Sequence, residues 1–381
     1  MMQLVKLQKP TSLFVFWFPL TKKFYGMRRQ GAILIGITSF NLYLMISKTI
    51  QYDQNLRSRQ FCPLNQSMSE LFFSLVDYRN NYFTSDDPNK IIEFYNGFEN
   101  RDQLIQWMKE RPNGIANIHE VEGDKDIIVV IPTADFNGKY AKECRDKIFK
   151  GLHIIFVESG EVPDPYFNYA HNSNVGIKKA MEYQSKWVLV SNDDMYKLDN
   201  VSVLIEKLKT LDNRNINVVF TKPSIYHSHI VRFAKPNLLF YLYFYISNKN
   251  FYRKLRNVTR SNDLKVTYDQ VPYNSKISYL FKKGYRFINY ESFGIFSSNY
   301  IRLINCELLD EMFINAGADV NLSLKLSLNP ENTTTIDYRI GNYIGGTLGN
   351  GIQRSLRTHA GRVYLNYKWG KIMDNLLDQR D

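Results

Sequence analysis

Four short, almost wholly apolar runs constrain this chain more than any other feature. They are "DIIVVIPTA" (126–134), "HIIFVESG" (153–160), "KWVLVSNDD" (186–194) and "NVVFTKPS" (217–224). Each is rich in β-branched residues and bounded by polar ones, the pattern of a buried strand. Between them lie helical segments, "YAKECRDKIF", "NVGIKKAMEYQ" and "VSVLIEKLKTL". Strands without polar alternation must be covered on both faces, so strand–helix alternation predicts an α/β fold with a mostly parallel sheet flanked by helices, Rossmann-like in its layering. Such sheets bind ligands at the carboxyl ends of their strands. Those ends carry Pro132-Thr133, Glu158-Ser159 and Asn192-Asp193-Asp194.

Two adjacent carboxylates are costly to hold together without positive charge beside them. The Asp193-Asp194 turn is therefore either solvated or holds a cation. Glu158 either caps its turn or bonds ribose hydroxyls. Asn174-Val175-Gly176 reads as a helix start, either a plain cap or a place where amides meet a phosphate beside Lys178 or Lys179. His171 reads as a loop histidine. Neither a Walker A motif nor G-x-G-x-x-G occurs, which removes support for P-loop and dinucleotide-binding readings.

Lys and Arg exceed Asp and Glu, 49 to 37, for a net charge of +12. That balance favours an anionic partner: nucleic acid, lipid headgroups or phosphorylated substrates. The basic residues are scattered, so nucleic-acid binding is not expected. Cys62, Cys144 and Cys306 form no CxxC pair, suggesting neither a disulfide framework nor a zinc site, and a reducing, cytoplasmic setting.

Residues 1–60 read as an apolar and basic appendage. "LFVFWFPL" (13–20) is too short to span a bilayer; "GAILIGITSFNLYLMIS" (31–47) is near the lower limit and follows Lys22, Lys23, Arg28 and Arg29. A single span, an interfacial anchor and a soluble segment all remain open, the second placing the chain at the cytoplasmic membrane face. Residues 61–122 read as a helical accessory region, 123–345 as the α/β domain and 346–381 as a basic tail. The segment 235–260 joins an aromatic stretch to a basic one, and reads either as a membrane-interface element or as a core strand followed by a solvated helix.

The order of these motifs resembles the family-2 glycosyltransferases and their GT-A fold. The carrying residues are "VVIPTAD" (129–135), "IIFVESG" (154–160), "NVGIKKAM" (174–181), "VLVSNDDM" (188–195) and "LLDEMFINAGADVNLSLKL" (308–326), so the likeness spans about 126–330. It implies that Asn192-x-Asp194, with Asp193 beside it, holds Mn²⁺ or Mg²⁺ bridging the phosphates of a nucleotide-sugar. Hard cations of this kind suit carboxylates plus phosphate oxygens. It further implies donor contacts from Pro132, Thr133, Asp135, Glu158, Asn174, Gly176 and Lys178. Asp319 falls on the general base that deprotonates an acceptor hydroxyl, and Asp310 and Glu311 on the acceptor site. Ala318 departs from the Glu usual before that base, and Asp319 could instead cap the helix that follows. The implied reaction is inverting glycosyl transfer to a glycan, protein or lipid-linked acceptor. Two rivals stand beside it. One is a catalytically silent sugar- or lipid-binding module of the same fold. The other is a nucleotidyltransferase, whose Gly-rich basic loop "PTADFNGKYAKE" does not supply. His359 in "RSLRTHAGR" reads either as a late metal or diphosphate ligand, with Arg354, Arg357 or Arg362 touching phosphate, or as part of a solvated basic turn.

Overall fold

The computed structural model describes residues 78–160, 164–212, 215–222, 228–240, 242, 255, 258–259, 263–272, 278–290, 293–343, 346 and 351–378. The expectations for residues 1–60 lie outside the described residues. Chain contacts separate 1–67 from 68–381, and the second unit is one compact body.

The central sheet has seven strands: β1 (Asn117–Val121), β2 (Asp124–Thr133), β3 (Leu152–Glu158), β4 (Trp187–Ser191), β6 (Val218–Thr221), β10 (Phe293–Ser297) and β11 (Thr333–Ile336). Their spatial order is β1-β3-β2-β4-β10-β6-β11. β3, β2 and β4 pair in parallel, as do β6 and β11, while β10 runs antiparallel between β4 and β6, and β1 antiparallel on the β3 edge. The sheet is thus mostly parallel and flanked by helices. β1 falls inside the region read as helical, and "SFGIFSS" supplies a strand, β10, that reverses the direction.

Alternate residues of the apolar runs serve opposite faces, as pleating requires. On β2, Ile128 and Val130 face one layer, while Ile127, Val129 and Ile131 face the other, all essentially without exposure. The first layer is closed by α4 (Tyr169–Ala180), α6 (Ser298–Leu303) and α7 (Ala318–Leu328). The second is closed by α3 (Lys139–Glu143), the π-turn after it (Cys144–Ile148) and α5 (Val201–Lys209). A two-stranded sheet pairs β5 (Met195–Lys197) with β12 (Ile340–Asn342). A three-stranded sheet has the order β8 (Asp269–Pro272), β7 (Ser228–Pro236), β9 (Phe281–Tyr290).

The segment read as a basic tail is α8 (Ile352–Asp378), 27 residues long. Leu356, Ala360, Val363, Trp369 and Met373 are buried along it, at mostly three- and four-residue spacing. Gly361, Gly370 and the interleaved Lys and Arg hide that stripe in the sequence. α8 packs on α1 (Pro88–Asn96) and α2 (Arg101–Glu110), sharing a core with Phe83, Phe94, Tyr95 and Trp107. The Tyr95 hydroxyl donates to the Leu356 carbonyl (2.7 Å) and accepts from the Ala360 amide (3.1 Å). Among the described residues no helix is long and apolar enough to cross a membrane.

Candidate functional site

The strand ends meet because the register makes them meet. Thr133 of β2 lies beside Glu158 of β3, and Val130 beside Val190 of β4, which carries Asp193 to the level of Thr133. The Thr133 hydroxyl donates to Asp193 Oδ2 at 2.8 Å, and the Cys144 thiol of the π-turn donates to the Asp193 carbonyl at 3.2 Å. Asp194 is held from the other end of the chain. Its Oδ2 accepts the Gly346 amide (3.1 Å) and its carbonyl the Tyr343 amide (2.7 Å). A Cβ at Gly346 would come within 3.0 Å of Asp194 Cβ and 2.9 Å of the Tyr140 hydroxyl, so only glycine fits this approach. Asp193 and Asp194 are 6% and 7% exposed.

These groups line a cavity of roughly 300 Å³. Pro132, Thr133, Ser159, Asn192, Asp193 and Asp194 come from the strand ends. Arg354 and Arg357 come from α8, Arg111 from the end of α2, and Asp164, Tyr169 and Asn315 from loops and from α4. Carboxylates and guanidiniums thus share one open cleft. Arg357 is pinned by the carbonyls of Phe83 (3.2 Å), Thr84 (2.6 Å) and Ser85 (2.9 Å). Arg111 is buried and donates to Asn80 Oδ1 (2.8 Å) and to the carbonyls of Pro165 (2.7 Å) and Tyr166 (3.2 Å). Burial lowers its pKa to about 10, with Asp164 and Tyr166 opposing the shift. It stays cationic at neutral pH and fixes the loop that borders the cavity. Neither Arg111 nor Tyr169 carries any local sequence signal for this role, because each reaches the cavity from a different element.

The implied site residues divide sharply. Pro132, Thr133, Asn192, Asp193 and Asp194 line the cavity. Glu158 stands at the same edge, but its Oε1 accepts the Phe136 amide (2.8 Å) and its Oε2 pairs with His119 (2.9 Å). Asp135 is exposed and closes its own turn through the Asn137 amide (2.8 Å). Asn174 and Gly176 do not open a helix. α4 begins at Tyr169, with Asn168 Oδ1 capping the amides of Ala170 (3.0 Å) and His171 (3.3 Å), so residues 174 and 176 lie in its interior. A Cβ at Gly176 would sit 2.4 Å from Val130 Cγ1, so this glycine serves close helix-on-sheet packing. Lys178 is exposed in the last turn of α4, whereas the strand ends are approached by the first.

Asp310 and Glu311 clamp the fold. Asp310 Oδ2 takes Lys368 (2.6 Å) and the Tyr364 hydroxyl (3.2 Å) of α8. Glu311 takes His171 (2.9 Å), Asn174 (3.0 Å) and Asn113 (3.1 Å). Burial pushes the Glu311 carboxyl up, but its bonds from Asn174, His171 and Asn113 outweigh that and hold it below the ordinary value. His171 is therefore a hydrogen-bond partner of Glu311 in the first turn of α4, not a loop histidine. Asp319 is half-buried in the first turn of α7, where Asn289 Nδ2 lies 3.4 Å from its Oδ2. It does not line the cavity. It acts on the cavity's edge through Tyr169: burial raises the Tyr169 phenol, and the charges of Asp319, Asp194 and Asp193 raise it further. His359 is buried inside α8. Its Nε2 donates to the Leu264 carbonyl (3.0 Å), its ring meets Tyr95 edge-on, and burial lowers its pKa to about 4. Neither the ligand reading nor the solvated-turn reading holds for it. Arg362 pairs with Asp269 instead of reaching a phosphate.

A divalent cation fits the donors present. Two buried carboxylates and an amide oxygen, from Asp193, Asp194 and Asn192, are hard ligands. Among the described residues no group of three or more His, Cys, Asp or Glu has the arrangement to hold a metal ion by itself. The remaining ligands would come from a bound molecule or water, the pattern that Mg²⁺ adopts with phosphates. No family model matches the chain, and no curated protein is significantly similar to it.

Proposed function

We propose that this protein is a metal-dependent glycosyltransferase of the GT-A kind, moving a sugar from a nucleotide-sugar to an acceptor hydroxyl with inversion. The observation that carries the reading is the Asp193-Asp194 pair at the carboxyl ends of parallel strands, facing a cavity that Arg354 and Arg357 also line. Asp194, Asp193 and Asn192 would hold Mn²⁺ or Mg²⁺, which neutralises charge on a leaving nucleoside diphosphate as a Lewis acid. The Thr133 hydroxyl and the Gly346 amide orient the two carboxylates. Arg354 and Arg357 bind diphosphate oxygens, Arg357 with its side chain already ordered by three carbonyls. The resemblance gives Asp319, which stands outside the cavity lining, the role of taking the proton of the acceptor hydroxyl. The free thiols of Cys144 and Cys306 accord with a reducing, cytoplasmic setting.

The test is calorimetric titration with a panel of nucleotide-sugars, with Mn²⁺ and with EDTA, on the wild type and on Asp194→Ala. Binding of at least one donor that needs metal and is lost in the variant is expected. Donor affinity indifferent to both changes would overturn the metal assignment.

A further inference from the structure

The edge of the three-stranded sheet carries an apolar surface for which the proposed chemistry has no use. β7 ends at Pro236, and Asn237 then organises a helical turn. Its amide donates to the Leu280 carbonyl (2.8 Å), its Nδ2 to the Tyr279 carbonyl (2.8 Å), and its Oδ1 accepts the Phe240 amide (3.1 Å). Phe240 turns inward and meets Phe281 edge-on at 5.0 Å, against a small core of Ala234, Val271 and Leu280. With Phe240 inward, the helical period of about 100° per residue puts Leu238, Leu239 and Leu242 together on the other side. They are 73%, 53% and 47% exposed, and Tyr279, tied beside them through Asn237, is 63% exposed. Single exposed leucines are ordinary; three within five residues, on the side of a turn opposite its buried phenylalanine, are not.

The sequence around this face says what covers it. From 235 to 260 it has Lys235, Lys249, Arg253, Lys254, Arg256 and Arg260, and no Asp or Glu. The same stretch has seven Phe or Tyr residues. Leucine, aromatic and basic residues in one stretch of sequence without an acid are the composition that sits at a headgroup boundary, although Lys235 itself is paired with Asp374. A second copy of the chain would bring two such cationic stretches together, within a molecule of net charge +12. An anionic surface reverses that sign and attracts them. We propose that the face formed by Leu238, Leu239, Leu242 and Tyr279 docks this protein on an anionic lipid bilayer. The proposal stands on this surface alone and is independent of the glycosyl-transfer reading.

The experiment is flotation of the full-length protein with phosphatidylcholine vesicles, with and without phosphatidylserine, at low and high salt. The wild type should float with the anionic vesicles and be released by salt, since headgroup attraction is screened. The triple variant Leu238→Ser, Leu239→Ser, Leu242→Ser, checked for an unchanged melting profile, should lose at least about tenfold of the bound fraction. A second measurement does not depend on a triple variant that folds. Leu238→Trp should show a blue shift in its added emission on anionic vesicles. Three results overturn the proposal: equal flotation on neutral vesicles, a triple variant that floats like the wild type, and Leu238→Trp emission that vesicles leave unchanged. So does a wild type that stays off vesicles but sediments as a dimer that the triple substitution breaks, which would assign the face to a second copy.

Discussion

The chain holds two pairs of neighbouring carboxylates, and the structure uses them in opposite ways. Asp310-Glu311 sits between elements. A lysine, a tyrosine, a histidine and two asparagines converge on it from α8, α4 and the segment after α2. Asp193-Asp194 ends a strand and faces a cavity, and is oriented by a hydroxyl and a backbone amide. A pair bound by cationic and amide side chains is spent on the fold. A pair that lines a cavity shared with arginines is placed to meet whatever binds there. Acidity in the sequence does not distinguish them; the partners do.

The comparison breaks most visibly at Asp194. Asp194→Ala should take transfer below detection and remove metal-dependent donor binding, with the melting temperature little changed, as activity assays, calorimetry and thermal unfolding would check. Asp319→Asn should lower turnover by about 10²–10⁴-fold and leave donor affinity nearly intact. Equal turnover in the two proteins would end its assignment as the base. Glu311→Gln should do the reverse of Asp194→Ala. Urea unfolding should show a loss of about 1.5–3 kcal/mol, the scale of hydrogen bonds to a charged group, with donor affinity of the folded protein retained. A pH scan sharpens the contrast at the smallest scale. His359 has a folded pKa of about 4 against an ordinary 6.5, so the unfolded chain binds the proton first and stability falls as pH drops below 6.5. Between pH 7 and 5 the wild type should lose about 2 kcal/mol that His359→Gln does not, read from urea midpoints. Glu311, with its carboxyl held low, contributes stability above its unfolded pKa near 4.5 that goes only at lower pH. The two windows separate on one titration.

The sheet was legible because its strands are buried on both faces and leave continuous apolar runs; β2, β3, β4 and β6 follow them within three residues. The carboxyl-end rule then located Thr133, Asn192, Asp193 and Asp194, since strand ends are fixed once strands are. What failed was local punctuation. Asn174 reads as a cap from the sequence, yet the cap is Asn168, and tertiary contact with Leu309 and Glu311 holds Asn174 as an interior residue. α8 was missed because its buried stripe is diluted with basic and aromatic side chains. Of the cavity's arginines, the reading of "RSLRTHAGR" names Arg354 and Arg357 as phosphate contacts; Arg111 was beyond local reading, because it reaches the wall from the end of α2 and leaves no pattern there.

The pinning of Arg357 by the carbonyls of residues 83–85 has a consequence in time. Those partners are separated by more than 270 positions along the chain, and Tyr95 reaches Leu356 across 261. Closing so long a loop is entropically late, so local strands and helices form well before this contact does. During synthesis, a ribosome that has made the whole sheet through Ile336 has still not made the wall that completes the cavity. A nascent chain at that stage exposes Phe83, Phe94 and Trp107, which later pack beside α8. Chaperone capture of chains stalled just before residue 352, and release once α8 is made, is the signature this wiring should leave on folding in the cell.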